Sequence, residues 1–192
     1  MARLKRMLLK PKNILLLILV IIIAMIITSI FPLNGKINKI NTKESNEVYF
    51  EKGVTVIDGD TIKVGKNSLR IWGIDAPELK QKCTKDSIEF DCGIIAKKLL
   101  TQIVLNDPIK CNIIDIDKYQ RKIVQCTAIN NFDIGLMMVQ LGWALDYEEY
   151  SNGFYKTTQQ DAINEKRGLW STSFIKPWEW RREHHNHKNR AH

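Results

Sequence analysis

Histidine and closely paired cysteines are scarce in this 192-residue sequence. The chain has four histidines, the first of them at position 184, and none of its four cysteines stands in a Cys-x-x-Cys pair. These absences argue against a zinc site, because such sites usually draw their ligands from paired cysteines and histidines. No internal repeat is visible either, which argues against a repeat architecture.

An excess of positive charge is also missing from the central part of the chain, although the formal net charge is +8. Residues 1–48 carry eight basic and two acidic side chains, and residues 181–192 carry four and one. Residues 49–180 contain 17 Lys or Arg against 18 Asp or Glu. Bulk electrostatics therefore gives no support for polyanion binding by the central region, and any such binding must be local.

The N-terminal segment combines basic residues with an apolar run. Residues 14–31 carry no charge, and their length is near the lower limit for a membrane-spanning helix. The basic residues that precede the run favour a cytoplasmic N-terminus. We predict a cytoplasmic segment at 1–13, a transmembrane signal-anchor at 14–33 and a tether at 34–48, with a cleaved signal peptide as the alternative. Either arrangement exports the following domain to a periplasmic or extracellular side.

The cysteines all lie between Cys83 and Cys126, and their presence suits an exported domain. Cys111 and Cys126 flank a turn-like segment almost symmetrically, as a cross-strand pair in one hairpin would. Cys83 and Cys92 would then close a short loop. Of the three possible pairings of four cysteines, we predict the disulfides Cys83–Cys92 and Cys111–Cys126.

Apolar periodicity predicts a domain of short strands with inserted helices between residues 49 and 180. Alternating apolar residues indicate strands near 54–56, 62–64 and 69–71, and a helical stripe follows at 93–105. Two more strands are expected at 109–116 and 123–129.

A helix capped by Asp133 should bury Ile134, Met137, Met138 and Leu141, and a last helix should span 154–167. An extended segment should follow, with the aromatic residues Trp170, Phe174, Trp178 and Trp180. After it comes a basic tail at 181–192, which contains His184, His185 and His187. That tail could bind a transition metal or be an unstructured basic end. The element order fits an α+β fold with a five-stranded OB-type β-barrel and about three α-helices.

Acidic residues are concentrated in two turns that follow apolar segments. Asp58, Asp60, Asp75 and Glu78 offer the oxygen ligands that hard cations such as Ca²⁺ select. Pro77 pushes Ala76 toward an extended backbone, which would leave the Ala76 carbonyl available as a further ligand. The alternative is that these are ordinary turn residues, since Asp-Gly is common in hairpins.

Two arginines accompany the acidic turns. Arg70 interrupts an apolar strand, and Arg121 ends the segment 117–121. Guanidinium groups make bidentate contacts to phosphate, and charge on phosphate oxygens builds up during phosphodiester hydrolysis. Either arginine could instead form a surface pair with a nearby carboxylate.

Three separated motifs resemble the staphylococcal (micrococcal) nuclease family in order and spacing. They are Val-Ile-Asp-Gly-Asp-Thr at 56–61, Leu-Arg-Ile-Trp-Gly-Ile-Asp-Ala-Pro-Glu at 69–78 and Asp-Lys-Tyr-Gln-Arg at 117–121. The resemblance covers about Val54 to Trp180. It implies a five-stranded OB-type barrel and Ca²⁺-dependent hydrolysis of DNA and RNA, typically leaving 3′-phosphates. We infer no obligate protein partner and expect a monomer.

The resemblance also implies roles for individual residues. Asp60, Asp75 and the Ala76 carbonyl would hold Ca²⁺, with Asp58 behind them. Glu78 would act as general base or position the attacking water, and Arg70 and Arg121 would stabilise the phosphate and its leaving group. Nucleotide contacts would come from Lys118 and Tyr119.

One departure from the family pattern concerns Gln120, which stands where a glycine is usual. If this position has a positive φ, a side chain there costs roughly 1 kcal/mol or more and could shift Arg121. The competing hypothesis is therefore a membrane-tethered OB module that binds nucleic acid with weak or no catalysis.

Overall fold

The computed structural model describes residues 47–50, 53–105, 108–128 and 131–190, all within one compact unit that spans 44–192. The predicted cytoplasmic segment, the signal-anchor at 14–33 and residues 34–46 of the tether lie outside the described residues. Across the described ranges, no helix combines the length and apolar character needed to cross a bilayer.

A curled six-stranded sheet forms the centre of the fold. Its strands are β1 (Glu47–Phe50), β2 (Val54–Val56), β3 (Thr61–Val64), β4 (Asn67–Ile71), β8 (Ile109–Ile116) and β9 (Lys122–Thr127). They lie in the order β1-β8-β9-β4-β3-β2, and only the β4–β9 pair of this sheet is parallel. The sheet fits an OB-like α+β fold, with six strands in the described residues rather than the five predicted.

Four very short strands complete the β structure. β5 (Ile74–Asp75) pairs with β10 (Leu145–Asp146), and β6 (Cys83–Lys85) forms a hairpin with β7 (Ile88–Phe90). None of the four was predicted, because two or three residues carry too little periodicity to be recognised.

Helices lie along the remaining chain. They are α1 (Cys92–Leu105), α2 (Ile134–Gln140), α3 (Glu148–Ser151), α4 (Lys156–Asn164), a 3₁₀ turn (Gly168–Ser171) and α5 (Pro177–Arg190). The described residues thus contain five α-helices rather than about three. The N-cap of α2 is Asp133, as predicted, and its carboxylate accepts a hydrogen bond from the Leu136 N–H.

Three sequence predictions about the helices need correction. Leu141 is exposed rather than buried, because α2 ends before it. The predicted last helix is shorter than 154–167, since α4 covers only Lys156–Asn164. The segment that contains Trp178 and Trp180 is not extended but belongs to α5, which begins at Pro177. Proline is favoured in the first turn of a helix, so the signal for this helix was present in the sequence.

The core lies between the sheet, α1 and α2. Its fully buried side chains include Ile62, Ile71, Leu100, Ile134 and Met138. A smaller cluster joins Leu145 and Leu169 to one of the disulfides. Both predicted disulfides are present: Cys111–Cys126 links β8 to β9, and Cys83–Cys92 links β6 to the start of α1.

Candidate active site

Asp60, Arg70 and Asp75 meet at one end of the sheet, and we call these three residues the strand-end cluster. Arg70 lies opposite Thr61 on β3, so the preceding Asp60 reaches the same guanidinium. After β4 the chain turns through Trp72 and Gly73, and β5 brings Asp75 back to Arg70. The register of three neighbouring strands therefore creates this cluster.

Arg70 bridges the two aspartates. Its Nη1 donates to Asp60 Oδ1, and its Nη2 donates to Asp75 Oδ1 at 2.8 Å. The side chains of Asp60 and Asp75 are only 4% and 0% exposed. A buried carboxylate is costly unless a cation or hydrogen-bond donors satisfy it, so these two side chains form a cation-binding pair within the fold.

Backbone contacts hold the other predicted metal-site residues beside the cluster. The Ala76 N–H donates to Asp60 Oδ2 at 2.8 Å, and the Asp60 N–H donates to Asp58 Oδ1 at 3.1 Å. Gly59 permits this approach, since a Cβ there would lie 2.6 Å from the Ala76 Cβ. Burial raises the pKa of Asp58, although hydrogen bonds with Thr61 and the charge of Arg70 oppose that shift.

Glu78 joins the cluster through a third arginine. Arg181, on α5, donates from Nη1 to Glu78 Oε1 at 2.8 Å and to Asp75 Oδ1 at 3.0 Å. Its Nη2 donates to Asp75 Oδ2 at 2.8 Å. Partial burial acts to lower the pKa of Arg181, but the hydrogen bonds and charges of Asp75 and Glu78 outweigh it and keep that pKa above its usual value.

The backbone of Glu78 is fixed by the start of α1 and by a buried glutamine. A Cβ on Gly93 would lie 1.8 Å from the Glu78 carbonyl oxygen, so only glycine fits there. The Glu78 N–H donates to Gln81 Oε1 at 3.2 Å, and Gln81 is fully buried. The side chain of Glu78 therefore projects from a rigid base.

Arg121 is held by a local turn rather than by the sheet register. We call residues 117–121 the hairpin turn, which connects β8 to β9. Asp117 Oδ1 accepts from the N–H groups of Tyr119 and Arg121, and its Oδ2 accepts from Arg121 Nε at 2.7 Å. Burial acts to raise the pKa of Asp117, but these hydrogen bonds and the arginine charge hold it below its usual value.

Gln120 has the positive φ anticipated for its position, at 63°. This conformation is strained for a residue with a side chain. Beside it, the exposed ring of Tyr119 lies 5.2 Å from Lys118 Nζ and 5.6 Å from Arg121 Cζ. Lys118 and Tyr119 thus form the exposed part of the hairpin turn next to Arg121.

A cleft of about 690 Å³ connects the hairpin turn to the strand-end cluster. Its charged lining residues are equal in number for each sign: Asp58, Glu78, Asp115 and Asp117 against Arg70, Lys118, Arg121 and Arg181. With the buried Asp60 and Asp75 included, the site carries a net negative charge. It would therefore repel a phosphodiester unless a further cation were bound.

The predicted site residues thus fall into two groups around one cleft. The first group is linked by direct contacts or through Arg181, and it consists of Asp58, Asp60, Arg70, Asp75, Ala76 and Glu78. The second group belongs to the hairpin turn and consists of Lys118, Tyr119 and Arg121. Sequence reasoning missed Arg181, which it had assigned to the tail, and the turn-forming role of Asp117. It also missed Tyr147 and Tyr150, which line the cleft.

Among the described residues, no group of three or more His, Cys, Asp or Glu side chains is arranged to hold a metal ion by itself. The oxygen donors at this place are instead two buried carboxylates that share the Arg70 guanidinium, and the Ile74 carbonyl that accepts from the same group. Hard oxygen donors of this kind fit Ca²⁺ better than a transition metal.

Comparison with known proteins gives a consistent result. The family model for the staphylococcal nuclease homologues matches residues 68–172. An "uncharacterized endonuclease" of Escherichia coli O157:H7 is 33% identical over 134 residues, which cover 67% of this chain and 82% of that protein. A "probable staphylococcal-like nuclease" of Oryza sativa subsp. japonica is 29% identical over 147 residues, 73% of this chain and 37% of the rice protein. The "succinoglycan biosynthesis protein ExoI" of Rhizobium meliloti is 28% identical over 118 residues, 60% of this chain and 62% of that protein.

Proposed function

The chain belongs to the staphylococcal nuclease homologue family, and we propose that it is a Ca²⁺-dependent endonuclease that hydrolyses phosphodiester bonds of DNA and RNA. The observation that carries this proposal is the convergence of Asp60, Asp75 and Arg70 beneath a cleft that Glu78 and Arg121 also line. The net negative charge of this site supports the need for a divalent cation before an anionic substrate can bind.

The acidic residues would hold the cation. Asp60 and Asp75 would supply carboxylate ligands and Ala76 its backbone carbonyl, with Asp58 behind them. When bound, Ca²⁺ would neutralise charge on the scissile phosphate and orient it. Asp58 restrains the Asp60 backbone through the 3.1 Å hydrogen bond, so it would act by keeping that ligand in place.

Glu78 and the arginines would carry the hydrolytic step. A water oxygen would attack phosphorus while the bond to the 5′ oxygen breaks. The departing 5′ oxygen would take a proton from solvent, and the proton that Glu78 removes would return to solvent, leaving a 3′-phosphate and a 5′-hydroxyl. Glu78 would position the water and accept its proton. Arg70 and Arg121 donate to the phosphate oxygens, where negative charge increases in the transition state.

Lys118 and Tyr119 would contact the nucleotide next to the scissile bond. Tyr119 is 68% exposed at the cleft, and an exposed ring can stack on a base of any sequence. The Lys118 ammonium can pair with a neighbouring phosphate. These contacts support action on single strands without strong sequence preference.

We also propose that the protein is exported and remains anchored by residues 14–33. The two disulfides support an oxidising compartment, since such bonds are rare in reducing cytoplasm. Fractionation of cells followed by alkaline carbonate extraction tests the anchor. Recovery of the chain in the soluble fraction would contradict it.

The nuclease proposal is tested with the purified full-length chain and labelled single-stranded DNA or RNA, in Ca²⁺ or in EGTA. We expect cleavage only with Ca²⁺, and its loss in Arg70→Ala and Glu78→Gln. Lys85→Ala, on the exposed side of β6, serves as the control and should cleave normally. Saturable binding without cleavage, unchanged in Glu78→Gln, would instead favour the non-catalytic binding module.

A further inference from the structure

Arg181 covers the acidic ligands that the proposed function assigns to a metal. Its guanidinium contacts both oxygens of Asp75 and one oxygen of Glu78, at 2.8 to 3.0 Å. Arg70 occupies Asp75 Oδ1 as well. A divalent cation that binds to Asp75 would therefore meet a positively charged guanidinium at both carboxylate oxygens.

Of the two arginines, Arg181 is the one placed to leave. Arg70 is 16% exposed and is also bound to Asp60 and to the Ile74 carbonyl. Arg181 is 31% exposed, and within the part of the chain that the structure describes it forms ion pairs with Asp75 and Glu78 alone. Moving Arg70 would leave a buried carboxylate without its cation, whereas Arg181 needs only a rotation of its side chain.

The start of α5 itself is fixed, so the competition would involve only the side chain. Gln81 Nε2 donates to the Ile175 carbonyl at 2.6 Å, and Ser173 pairs with Thr84. Trp178 stacks on Tyr147 with ring centroids 5.4 Å apart and planes 3° apart. These contacts hold Arg181 at the cleft.

Arg181 also borders a second cavity, whose lining carries charges of both signs. Arg181 lines both the cleft and an adjoining cavity of about 850 Å³, whose lining includes Glu148 and Glu149. Both glutamates are exposed.

We propose that Arg181 is an internal cation that competes with the divalent metal for Asp75 and Glu78, and so sets the metal concentration at which the site is loaded. This inference rests on the proposed function, because it takes Asp75 as a metal ligand. Without a metal, Arg181 would hold the two carboxylates together. Metal binding would require its release, so the apparent metal affinity is lower than the carboxylates alone would give.

Calorimetric titration of the full-length chain with CaCl₂, without substrate, tests the competition directly. Arg181→Gln should bind Ca²⁺ about tenfold more tightly than the unmodified protein, because a full positive charge is removed from contact with the ligands. Arg182→Gln removes the same charge from the next, exposed position of α5 and should change the affinity less than about twofold at physiological salt. Arg181→Lys keeps the charge and should stay within about threefold of the unmodified protein.

Thermal unfolding provides a second readout that a purely structural role would not produce. In EDTA, Arg181→Gln should unfold at a lower temperature than the unmodified protein. Saturating Ca²⁺ should raise the Tm of Arg181→Gln by more than it raises the Tm of the unmodified protein.

If Arg181→Gln binds Ca²⁺ with unchanged or lower affinity while the unmodified protein binds it, the inference is overturned and the proposed function stands. If no variant binds Ca²⁺ and the unmodified protein does not either, the proposed metal site is wrong and this inference falls with it. Should Arg181→Gln fail to fold, binding by Arg181→Lys that is more than about threefold weaker than that of the unmodified protein would equally overturn the inference.

Discussion

The two arginines predicted from sequence to contact phosphate are held in different ways. Arg70 lies near the end of β4 and bridges Asp60 and Asp75, which are buried and are brought to it by the neighbouring strands β3 and β5. Arg121 pairs with Asp117, four residues earlier in the hairpin turn, and is 32% exposed. The strand-end cluster therefore depends on the packing of several strands, whereas the hairpin turn is built from five consecutive residues.

This difference has a consequence for mutagenesis. Changes in the strand-end cluster should affect stability and activity together, because the same carboxylates serve both. Changes in the hairpin turn should affect stability less, since exposed pairs contribute little. The four predictions below test this separation.

The largest effect is expected for Asp75→Asn. The substitution leaves Arg70 and Arg181 facing a neutral amide, so the free energy of unfolding should fall by about 3 kcal/mol or more and cleavage should be lost.

Glu78→Gln should also abolish cleavage, but it should lower the free energy of unfolding by less than about 1 kcal/mol. The reason is that both side chains of the Glu78–Arg181 pair are about one-third exposed. Urea unfolding and a cleavage assay check both. Equal losses of stability in the two variants would contradict the separation.

Gly93→Ala should have the next largest effect. The added Cβ would meet the Glu78 carbonyl oxygen at 1.8 Å, so the backbone of Glu78 must shift. We expect a loss of about 1–3 kcal/mol in stability. Cleavage should fall about 100-fold, since a displacement of about 1 Å is enough for such a loss.

Lys98→Ala, at an exposed position of the same helix, is the control for Gly93→Ala. It should leave both stability and cleavage near their original values. If Gly93→Ala retains full activity, the rigid base assigned to Glu78 is not required for hydrolysis.

A smaller effect, and a gain, is expected for Gln120→Gly. Glycine relieves the strain at φ 63°, which should raise the free energy of unfolding by up to about 1 kcal/mol and increase cleavage. Lys166→Gly is a matched control, since Lys166 has φ 53° but does not line the cleft. It should increase stability alone. A loss of activity in Gln120→Gly would show that the glutamine side chain itself contributes to the site.

The smallest effects concern the pH dependence of stability, and they differ in sign between the two regions. The folded-state pKa of Asp58 is raised by burial, so its protonated form favours the fold and this contribution is lost as the pH rises through that pKa. Asp58→Asn should therefore stabilise the protein at neutral pH. The pKa of Asp117 is lowered by its hydrogen bonds and by Arg121, despite partial burial, so its contribution is lost as the pH falls through that pKa.

Asp117→Asn should accordingly destabilise at neutral pH, by about 1 kcal/mol. Both differences should diminish as the pH is lowered from about 7 to about 3, where carboxylates become protonated. Thermal unfolding across this range measures them. A stabilising effect of Asp117→Asn at neutral pH would show that the Arg121 pair does not support the turn.

The strands with clear alternation were predictable, and so were the parts of the site that depend on them. Val54, Val56 and Ile62 gave the first strands, and the cap of α2 was recognised from Asp133. The positive φ of Gln120 had been raised as a condition, because the resembling family usually has a glycine at this position. In each case the deciding interactions are between neighbours in the chain.

Arg181 shows where such reasoning failed. It lies 106 residues from Asp75, and its surroundings suggested a basic tail. Its place in the site depends on the docking of α5 through Gln81 and Trp178. No local pattern encodes that docking, because the contacts join segments that are far apart in sequence.

Local features of the chain were enough to predict the types of residue at the site, the two disulfides and the order of most strands and helices. Periodicity, turn chemistry and cysteine spacing are local properties, and they are legible in the chain. Only the tertiary structure decided that Arg70 and Arg181 share Asp75, and that the cleft and its buried aspartates together carry net negative charge. Those results depend on which charged groups become buried side by side, and burial is set by the packing of distant segments.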